Sequence, residues 1–239
     1  MRLAALVTLT AVPVWAFVGL RLDSRVGATG QLVLGVLTVI VFVALLRLHT
    51  PAVRFQALGV VAIATIGEVV GSLIWGLYSY RLDNIPAFVP PGHGLVYLAG
   101  FSLATLSGRR ALPLVAATVA AAWGLAGLTV LPIDVAGAIG CAFLVTVLLG
   151  TRVPVYAGVF LVVAALELYG TALGTWTWTS TVPGLGLSQG NPPSGVASGY
   201  VVFDVLALAL AARLRTLRLP LRCRSEAIQM CPRVEASSS

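Results

Sequence analysis

The sequence contains no lysine and has few charged residues of any kind. Only 10% of its 239 residues are charged and 59% are hydrophobic, whereas roughly a quarter of the residues of a soluble domain are charged. This composition excludes an ordinary soluble domain and indicates a polytopic membrane protein. The net charge of +7 comes entirely from arginine. We therefore interpret the basic residues as markers of membrane topology and predict no binding to nucleic acid.

Residues that bind metals are also scarce. The chain has two histidines and three cysteines, and Cys141, Cys223 and Cys231 show neither metal-site nor disulfide spacing. His93 lies near the most unusual part of the sequence, but one histidine supplies too few ligands for a metal ion. We therefore predict no metal and no other cofactor.

Long apolar runs predict an all-α fold, a polytopic membrane helix bundle with about eight transmembrane helices. The first run is expected to be a retained helix and not a cleaved signal peptide. The fourth and sixth runs are short and rich in glycine, so half-spans at these places and a total of seven spans remain open. The predicted helices cover residues 3–20, 31–47, 55–77, 93–108, 111–131, 135–150, 153–174 and 196–213.

The arginines predict the orientation, because short cytoplasmic loops carry an excess of basic residues. With the N-terminus inside, twelve of the 15 arginines fall on the cytoplasmic side, and only Arg21, Arg25 and Arg81 fall outside. We therefore predict a cell-membrane protein with both termini in the cytoplasm and with loops 78–92 and 175–195 outside. Residues 214–239 are predicted to be a basic, disordered cytoplasmic tail, which either binds anionic lipid headgroups or serves only as a stop-transfer signal.

Two segments of the chain share one layout. Each begins with Glu-x-x-Gly-Ser/Thr, at Glu68 and again 99 residues later at Glu167, and continues through an aromatic patch to a Pro-Pro pair. The match predicts two four-helix repeats, residues 1–108 and 109–213, in the same orientation in the membrane. The alternative is a chance match, since apolar helices of low complexity resemble one another.

Three acidic residues fall inside the predicted spans: Glu68, Glu167 and Asp204. A carboxylate in the membrane is costly, so it should face the bundle interior and find a partner or a cavity. If protonated there, it would be a general acid. We expect the three acids to meet in one layer near the outer surface. The alternative is that they only form hydrogen bonds between helices.

Aromatic residues lie at the outer ends of the two helices that carry the glutamates. Their π faces could stabilise a carbocation in a substrate pocket, and an interfacial aromatic belt is the alternative. His93 could relay protons or cap a helix, and Asn191 could bind substrate or shape its turn. The predicted substrate-binding residues are Trp75, Tyr78, Tyr80, His93, Trp176, Trp178 and Asn191.

About 30 residues around Glu68 carry a resemblance to known proteins. With Glu68-x-x-Gly71, Tyr78-x-Tyr80 and the following Pro86, Val89 and Pro90, the chain resembles the membrane-embedded bacterial carotenoid hydratases. Its overall plan is also similar to that of the small integral membrane terpene and lycopene cyclases, which have one acid in an early helix and another in the last. The resemblance implies that Glu68 is the first acid and Asp204 the second.

The leading hypothesis is an integral membrane enzyme that acts on a terpene or carotenoid-like isoprenoid lipid. Glu68 or Asp204 would protonate a double bond, and Glu167 would remove the final proton or position water, giving cyclisation or hydration. The alternative is a proton-coupled transporter or lipid-binding protein that uses the paired glutamates. A third hypothesis is an assembly subunit with purely structural acids. The expected partners are the lipid substrate and membrane lipids, and a homo-oligomer is left open.

Overall fold

The computed structural model describes residues 2–108, 110–130 and 133–229, with only the backbone described from residue 214 onward. These residues form eight α-helices and two short strands, so the predicted all-helical fold is confirmed. The helices are α1 (Arg2–Asp23), α2 (Ala28–Arg47), α3 (Pro51–Glu68), α4 (Val89–Leu106), α5 (Ala111–Thr129), α6 (Val135–Thr151), α7 (Pro154–Ala172) and α8 (Ala197–Gln229). The strands are β1 (Tyr78–Tyr80) and β2 (Trp176–Trp178).

Among the described residues, five helices are long and apolar enough to cross a membrane. They are α1, α2, α3 with its extension to Ile74, α5 and α7, while α6 is apolar but shorter. Large apolar side chains such as Leu3, Phe17 and Leu125 are exposed on their outer faces. Such surfaces suit a lipid environment, where the outside of a helix needs no polar cover. This supports the predicted membrane character of the chain, while the number of spans and their orientation remain predictions.

Helix α4 lies at the centre of the bundle and packs against α1, α2, α3 and α7. Of the helices in the second half of the chain, α4 packs most closely against α7, where Gly100 of α4 faces Gly158 and Val159 of α7. A Cβ atom added to Gly158 would lie 2.1 Å from the backbone oxygen of Gly100. Small residues let two membrane helices approach to backbone contact. The two predicted repeats therefore meet directly through α4 and α7.

The helix that carries Glu68 changes its winding immediately after this residue. The α-helical hydrogen bonding of α3 ends at Glu68, and Val69–Ile74 form a π-helical turn. The chain then enters β1, which pairs antiparallel with β2 in the register Tyr78 with Trp178 and Tyr80 with Trp176. The sequence predicted a plain helix to residue 77 and loops beyond it. Three-residue strands and a single π turn are too short to produce a hydrophobic period.

A buried aspartate anchors the segment that follows β1. Asp23, at the end of α1, accepts a hydrogen bond from Gln31 Nε2 at 2.8 Å, and its Oδ1 lies 3.8 Å from Nη2 of Arg81. Arg81 also donates hydrogen bonds to the backbone oxygens of Asp23 and Val26. Because Arg81 directly follows Tyr80, these bonds help to set where β1 ends.

A second buried aspartate anchors the segment that follows β2. Asp134 caps α6 by accepting from the backbone N–H of Gly137 at 2.9 Å. It also accepts from the backbone N–H groups of Gly190, at 2.9 Å, and Ser194, at 2.6 Å. The loop between β2 and α8 is therefore held by the junction of α5 and α6, much as the loop after β1 is held by the end of α1.

The last helix is longer than predicted. The sequence placed its end near residue 213 and a disordered tail after it, but α8 continues to Gln229. Leucine and arginine, which are frequent in this stretch, are good helix formers, so a loss of hydrophobicity does not by itself end a helix. The rest of the predicted tail, residues 230–239, lies outside the described residues, as does Arg109 at the predicted boundary between the repeats.

Candidate functional site

A cavity of about 230 Å³ lies between the helices and the β1–β2 ribbon. Its lining is mostly apolar and aromatic, and it includes seven of the ten predicted site residues. These seven are Glu68, Tyr78, Tyr80, His93, Glu167, Trp176 and Trp178. A concave, apolar site with a few convergent polar groups is typical of small-molecule binding.

Glu68 is buried at the point where α3 becomes π-helical, and three side chains surround its carboxylate. Its Oε2 accepts hydrogen bonds from the hydroxyls of Tyr78, at 2.7 Å, and Tyr80, at 2.6 Å. Its Oε1 lies 2.8 Å from Nε2 of His93 on α4. Burial of a carboxylate is tolerated when such hydrogen bonds replace water.

Glu167 has a matching environment in the second half of the chain. Its Oε2 accepts hydrogen bonds from the indole N–H groups of Trp176, at 2.8 Å, and Trp178, at 3.3 Å. Its Oε1 has a longer contact, 3.4 Å, with the hydroxyl of Tyr200 at the start of α8. Each glutamate thus accepts hydrogen bonds from two aromatic side chains of the strand that follows its helix. Each also faces one residue of the helix after that strand.

The glycine of each Glu-x-x-Gly motif makes room for one of these aromatic rings. A Cβ atom added to Gly170 would lie 2.1 Å from the ring of Trp176, and one added to Gly71 would lie 3.3 Å from Tyr78. The glycine is one helical turn beyond the glutamate, so the ring that crosses it can reach back to the carboxylate. The motif is therefore explained by packing as well as by helix approach.

The aromatic residues that donate to Glu68 contact those that donate to Glu167. Tyr78 contacts Trp178 with ring centroids 4.5 Å apart, and Tyr80 contacts Trp176 at 6.2 Å. On the side of the helices, the rings of His93 and Tyr200 lie 5.0 Å apart. An aromatic wall of this kind presents π faces to whatever occupies the cavity.

The two tyrosines of β1 lie outside the membrane-spanning helices and remain protonated. Burial, and then the neighbouring Glu68 carboxylate, raise the pKa of both Tyr78 and Tyr80. Each phenol therefore keeps its proton and donates it in a hydrogen bond to Glu68.

Two predicted site residues lie outside the cavity. Trp75 is 46% exposed and its indole N–H donates to the backbone oxygen of Pro183 at 3.0 Å. Asn191 accepts a hydrogen bond from the backbone N–H of Trp178 at 3.1 Å through its side-chain oxygen. Asn191 therefore positions Trp178, as expected of a residue that shapes its turn.

Asp204 is also separate from the cavity. It is buried, 1% exposed, and its Oδ2 has no hydrogen-bond partner among the described residues. It lies one helical turn beyond Tyr200 along α8, and its carboxyl group is close enough to Tyr97 and Tyr156 to interact with them electrostatically. Glu68 and Glu167 line one cavity, whereas Asp204 is not among the residues that line it, and a single layer of three acids stays a prediction.

Four aromatic residues of the cavity were missed by sequence reasoning: Trp15, Phe88, Tyr200 and Phe203. Tyr200 follows a Pro-Pro pair at the start of a helix, as His93 does, and this was the available signal. The spacing hid it, because His93 comes two residues after Pro91 and Tyr200 seven residues after Pro193. Trp15 belongs to α1, which has no recognisable motif.

Within the described ranges, no three histidine, cysteine or acidic side chains come together as a metal site. Comparison with known proteins gives no match: no family model fits the chain, and no curated protein or solved structure is significantly similar to it. The resemblance to carotenoid hydratases and membrane cyclases therefore remains a prediction.

Proposed function

We propose that this protein is an integral membrane enzyme that protonates a double bond of an isoprenoid lipid, giving cyclisation or hydration. The observation that carries the proposal is an apolar, aromatic-lined cavity with two buried carboxylates, Glu68 and Glu167, at one place. An isoprenoid is apolar and branched, so it suits such a lining. Its protonation creates a cation, which the π faces of the ribbon aromatics would stabilise.

The hydrogen bonds favour different roles for the two glutamates. Glu68 accepts from two phenols and lies next to His93, an arrangement that stabilises a negative carboxylate. Glu167 has a free position on Oε1, where its nearest donor is 3.4 Å away. We therefore assign Glu167 as the acid and the pair of Glu68 and His93 as the base. This reverses the assignment made from the sequence, in which Glu68 or Asp204 was the acid.

We further propose that eight spans form two parallel four-helix repeats, with the site near the outer surface and both termini in the cytoplasm. Two observations support this arrangement. Equivalent strands pair antiparallel, as they would about a twofold axis perpendicular to them, and each strand supplies two donors to the glutamate of its own half. Sites of parallel-repeat membrane proteins commonly lie where the repeats meet.

The test is the lipid profile of a bacterial host that accumulates lycopene and expresses the protein. We expect a new lipid with the wild type, and a loss of about 100-fold or more with Glu167→Gln, because general acid catalysis contributes at least that factor. Trp75→Phe is the matched control, since Trp75 lies outside the cavity. An unchanged lipid profile in every case, including with shorter isoprenoid hydrocarbons supplied to membranes, would contradict the proposal.

A second candidate function is a proton-coupled transporter or lipid-binding protein. It is favoured by the similar surroundings of Glu68 and Glu167 in the two halves of the chain. Transport would require the two carboxylates to act alike, so Glu68→Gln and Glu167→Gln should abolish proton-dependent uptake into vesicles equally. Unequal effects, with new lipid products in the wild type, would favour the enzyme.

A further inference from the structure

The imidazole of His93 has one nitrogen bonded to Glu68 and one nitrogen without a partner. Nε2 lies 2.8 Å from Oε1 of Glu68. Nδ1 is buried and has no hydrogen-bond partner among the described residues. Of the described residues that line the cavity, only His93 leaves a buried side-chain polar atom in this condition. Buried polar groups normally have a hydrogen-bond partner, and the described part of the chain supplies none to Nδ1.

The surroundings of Glu68 determine which nitrogen of His93 carries the proton. Oε2 already accepts hydrogen bonds from the hydroxyls of Tyr78 and Tyr80, which stabilise the ionised carboxylate. An ionised carboxylate can only accept hydrogen bonds. Nε2 of His93 therefore carries a hydrogen and donates a hydrogen bond to Oε1. In the neutral ring, Nδ1 is then a hydrogen-bond acceptor.

We propose that Nδ1 of His93 forms a binding subsite for a hydroxyl group. The hydroxyl donates a hydrogen bond, and Nδ1 accepts it. The hydroxyl belongs either to a water molecule or to the isoprenoid in the cavity. The nature of the isoprenoid rests on the proposed function, but the subsite follows from the bonds of His93. Nearby, the rings of Tyr200 and Phe203 lie 5.0 Å and 6.2 Å from the imidazole, measured between centroids, so the subsite has aromatic walls.

The subsite has a defined part in the proposed reaction. The proton of the Glu167 carboxylic acid forms a new C–H bond at one carbon of the alkene, leaving a cation at the other carbon. The hydroxyl oxygen forms a C–O bond to that cation, its O–H bond breaks, and the proton passes to Nδ1. The Glu68 carboxylate stabilises the resulting imidazolium, as the carboxylate of a catalytic triad does. The proton gained by His93 balances the one lost by Glu167, and exchange with solvent restores both.

Nitrogen NMR of protein labelled with ¹⁵N-histidine in lipid nanodiscs tests the subsite without turnover. The chain has only two histidines, so a His49→Gln variant leaves the signals of His93 alone. We expect a protonated Nε2 and an unprotonated Nδ1. Spectra are recorded without ligand, with farnesol, and with farnesene, which has a similar chain without the hydroxyl. Tyr200→Phe is the control that keeps an aromatic ring beside His93.

The outcomes separate the two sources of the hydroxyl. An Nδ1 signal that is already shifted by hydrogen bonding without ligand, with a cross-peak to water, identifies water. A shift that appears with farnesol but not with farnesene identifies the hydroxyl of the ligand. The proposal is overturned if Nδ1 carries the proton, or if it shows no hydrogen bond in any of the three states. Neither of these results would by itself alter the lipid products of the Glu167→Gln experiment, so the two proposals can fail separately.

Discussion

The side chains that bond to Glu167 differ in what they contribute to the stability of the fold. Trp176 donates its indole N–H to this buried carboxylate at 2.8 Å, and Trp178 does so at 3.3 Å. Glu167, as the proposed acid, is neutral in its protonated form, and a hydrogen bond between neutral groups contributes about 0.5–1.5 kcal/mol, and less when it is long. Trp176, the nearer tryptophan, should therefore contribute more to the free energy of unfolding than Trp178.

Replacing each tryptophan with phenylalanine tests this ranking. We expect Trp176→Phe to lower the free energy of unfolding by about 1–3 kcal/mol, because it leaves the buried carboxylate with one donor fewer. Trp178→Phe should cost less. Thermal unfolding in detergent measures both, and Trp75→Phe at an exposed position is the control. An equal loss for Trp75→Phe and Trp176→Phe would contradict the role given to the Glu167 bond.

His49, in the short connection between α2 and α3, should make stability depend on pH. Its Nε2 lies 3.0 Å from the hydroxyl of Thr8, and burial, followed by the charge of Arg54, lowers the pKa of the imidazole. The unfolded chain, with an ordinary histidine pKa of about 6.5, then binds a proton more readily than the folded chain. Stability is therefore complete above this value and falls as the pH drops below it.

The measurement is thermal unfolding of the wild type and of His49→Gln between about pH 7 and pH 5. The variant should lose less stability over this range than the wild type, because glutamine does not titrate. Parallel curves for the two proteins would show that the proton binds elsewhere. The two proteins are compared by how steeply their stability changes with pH. Their stability at a single pH also differs because the substitution changes the contact with Thr8.

At the scale of the elements, the helices could be predicted and the ribbon could not. Helices such as α2 and α7 are long apolar runs, and the predicted boundaries of these two helices lie within a few residues of the observed ones. The strands β1 and β2 have three residues each, and they form because each pairs with the other across the chain. A contact between residues almost 100 positions apart has no local pattern for a sequence reading to find.

The same reasoning explains which site residues were found. Glu68 and Glu167 stand out because a carboxylate is rare in an apolar run. Their hydrogen bonds to the ribbon depend on tertiary contact, and so does the position of Tyr200. Asp204 also stands out as an acid in an apolar run, but the sequence indicates depth along a helix only to within about a turn, which is 5.4 Å. It therefore does not show that Asp204 is absent from the cavity lining.

The glycines of the two Glu-x-x-Gly motifs provide a prediction about packing between helix and ribbon. Gly170→Ala places a Cβ atom 2.1 Å from the ring of Trp176, whereas Gly71→Ala places one 3.3 Å from Tyr78. We expect Gly170→Ala to cost about 1–3 kcal/mol, as overpacking does, and Gly71→Ala to cost less. Gly150→Ala is the control, because nothing lies within 4 Å of its added Cβ.

Unfolding in detergent gives the stability of these variants, and tryptophan fluorescence reports on the ribbon. A displaced Trp176 should change the emission of Gly170→Ala more than that of Gly71→Ala. If the two substitutions had the same small effect as Gly150→Ala, the motif would have to be explained without the aromatic ring.

For the whole molecule, the structure supports a bundle with five helices that could span a membrane, and orientation depends on the arginine distribution. That distribution predicts that the α2–α3 connection is in the cytoplasm and that the loop between β2 and α8 is outside. Leu48 and Leu185 are exposed at these two places, 49% and 62% respectively. Each can be changed to cysteine in a background where Cys141, Cys223 and Cys231 are serine.

A membrane-impermeant maleimide should label Leu185→Cys in intact cells and Leu48→Cys only after the membrane is opened. Labelling of Leu48→Cys alone in intact cells would reverse the orientation. Labelling of both would place the two connections on one side and contradict an odd number of crossings between them. Because the cavity lies beside the ribbon, the result also decides from which leaflet a lipid can reach Glu68 and Glu167. A labelled Leu185 places that entry at the outer leaflet, where the two halves of the chain present their glutamates together.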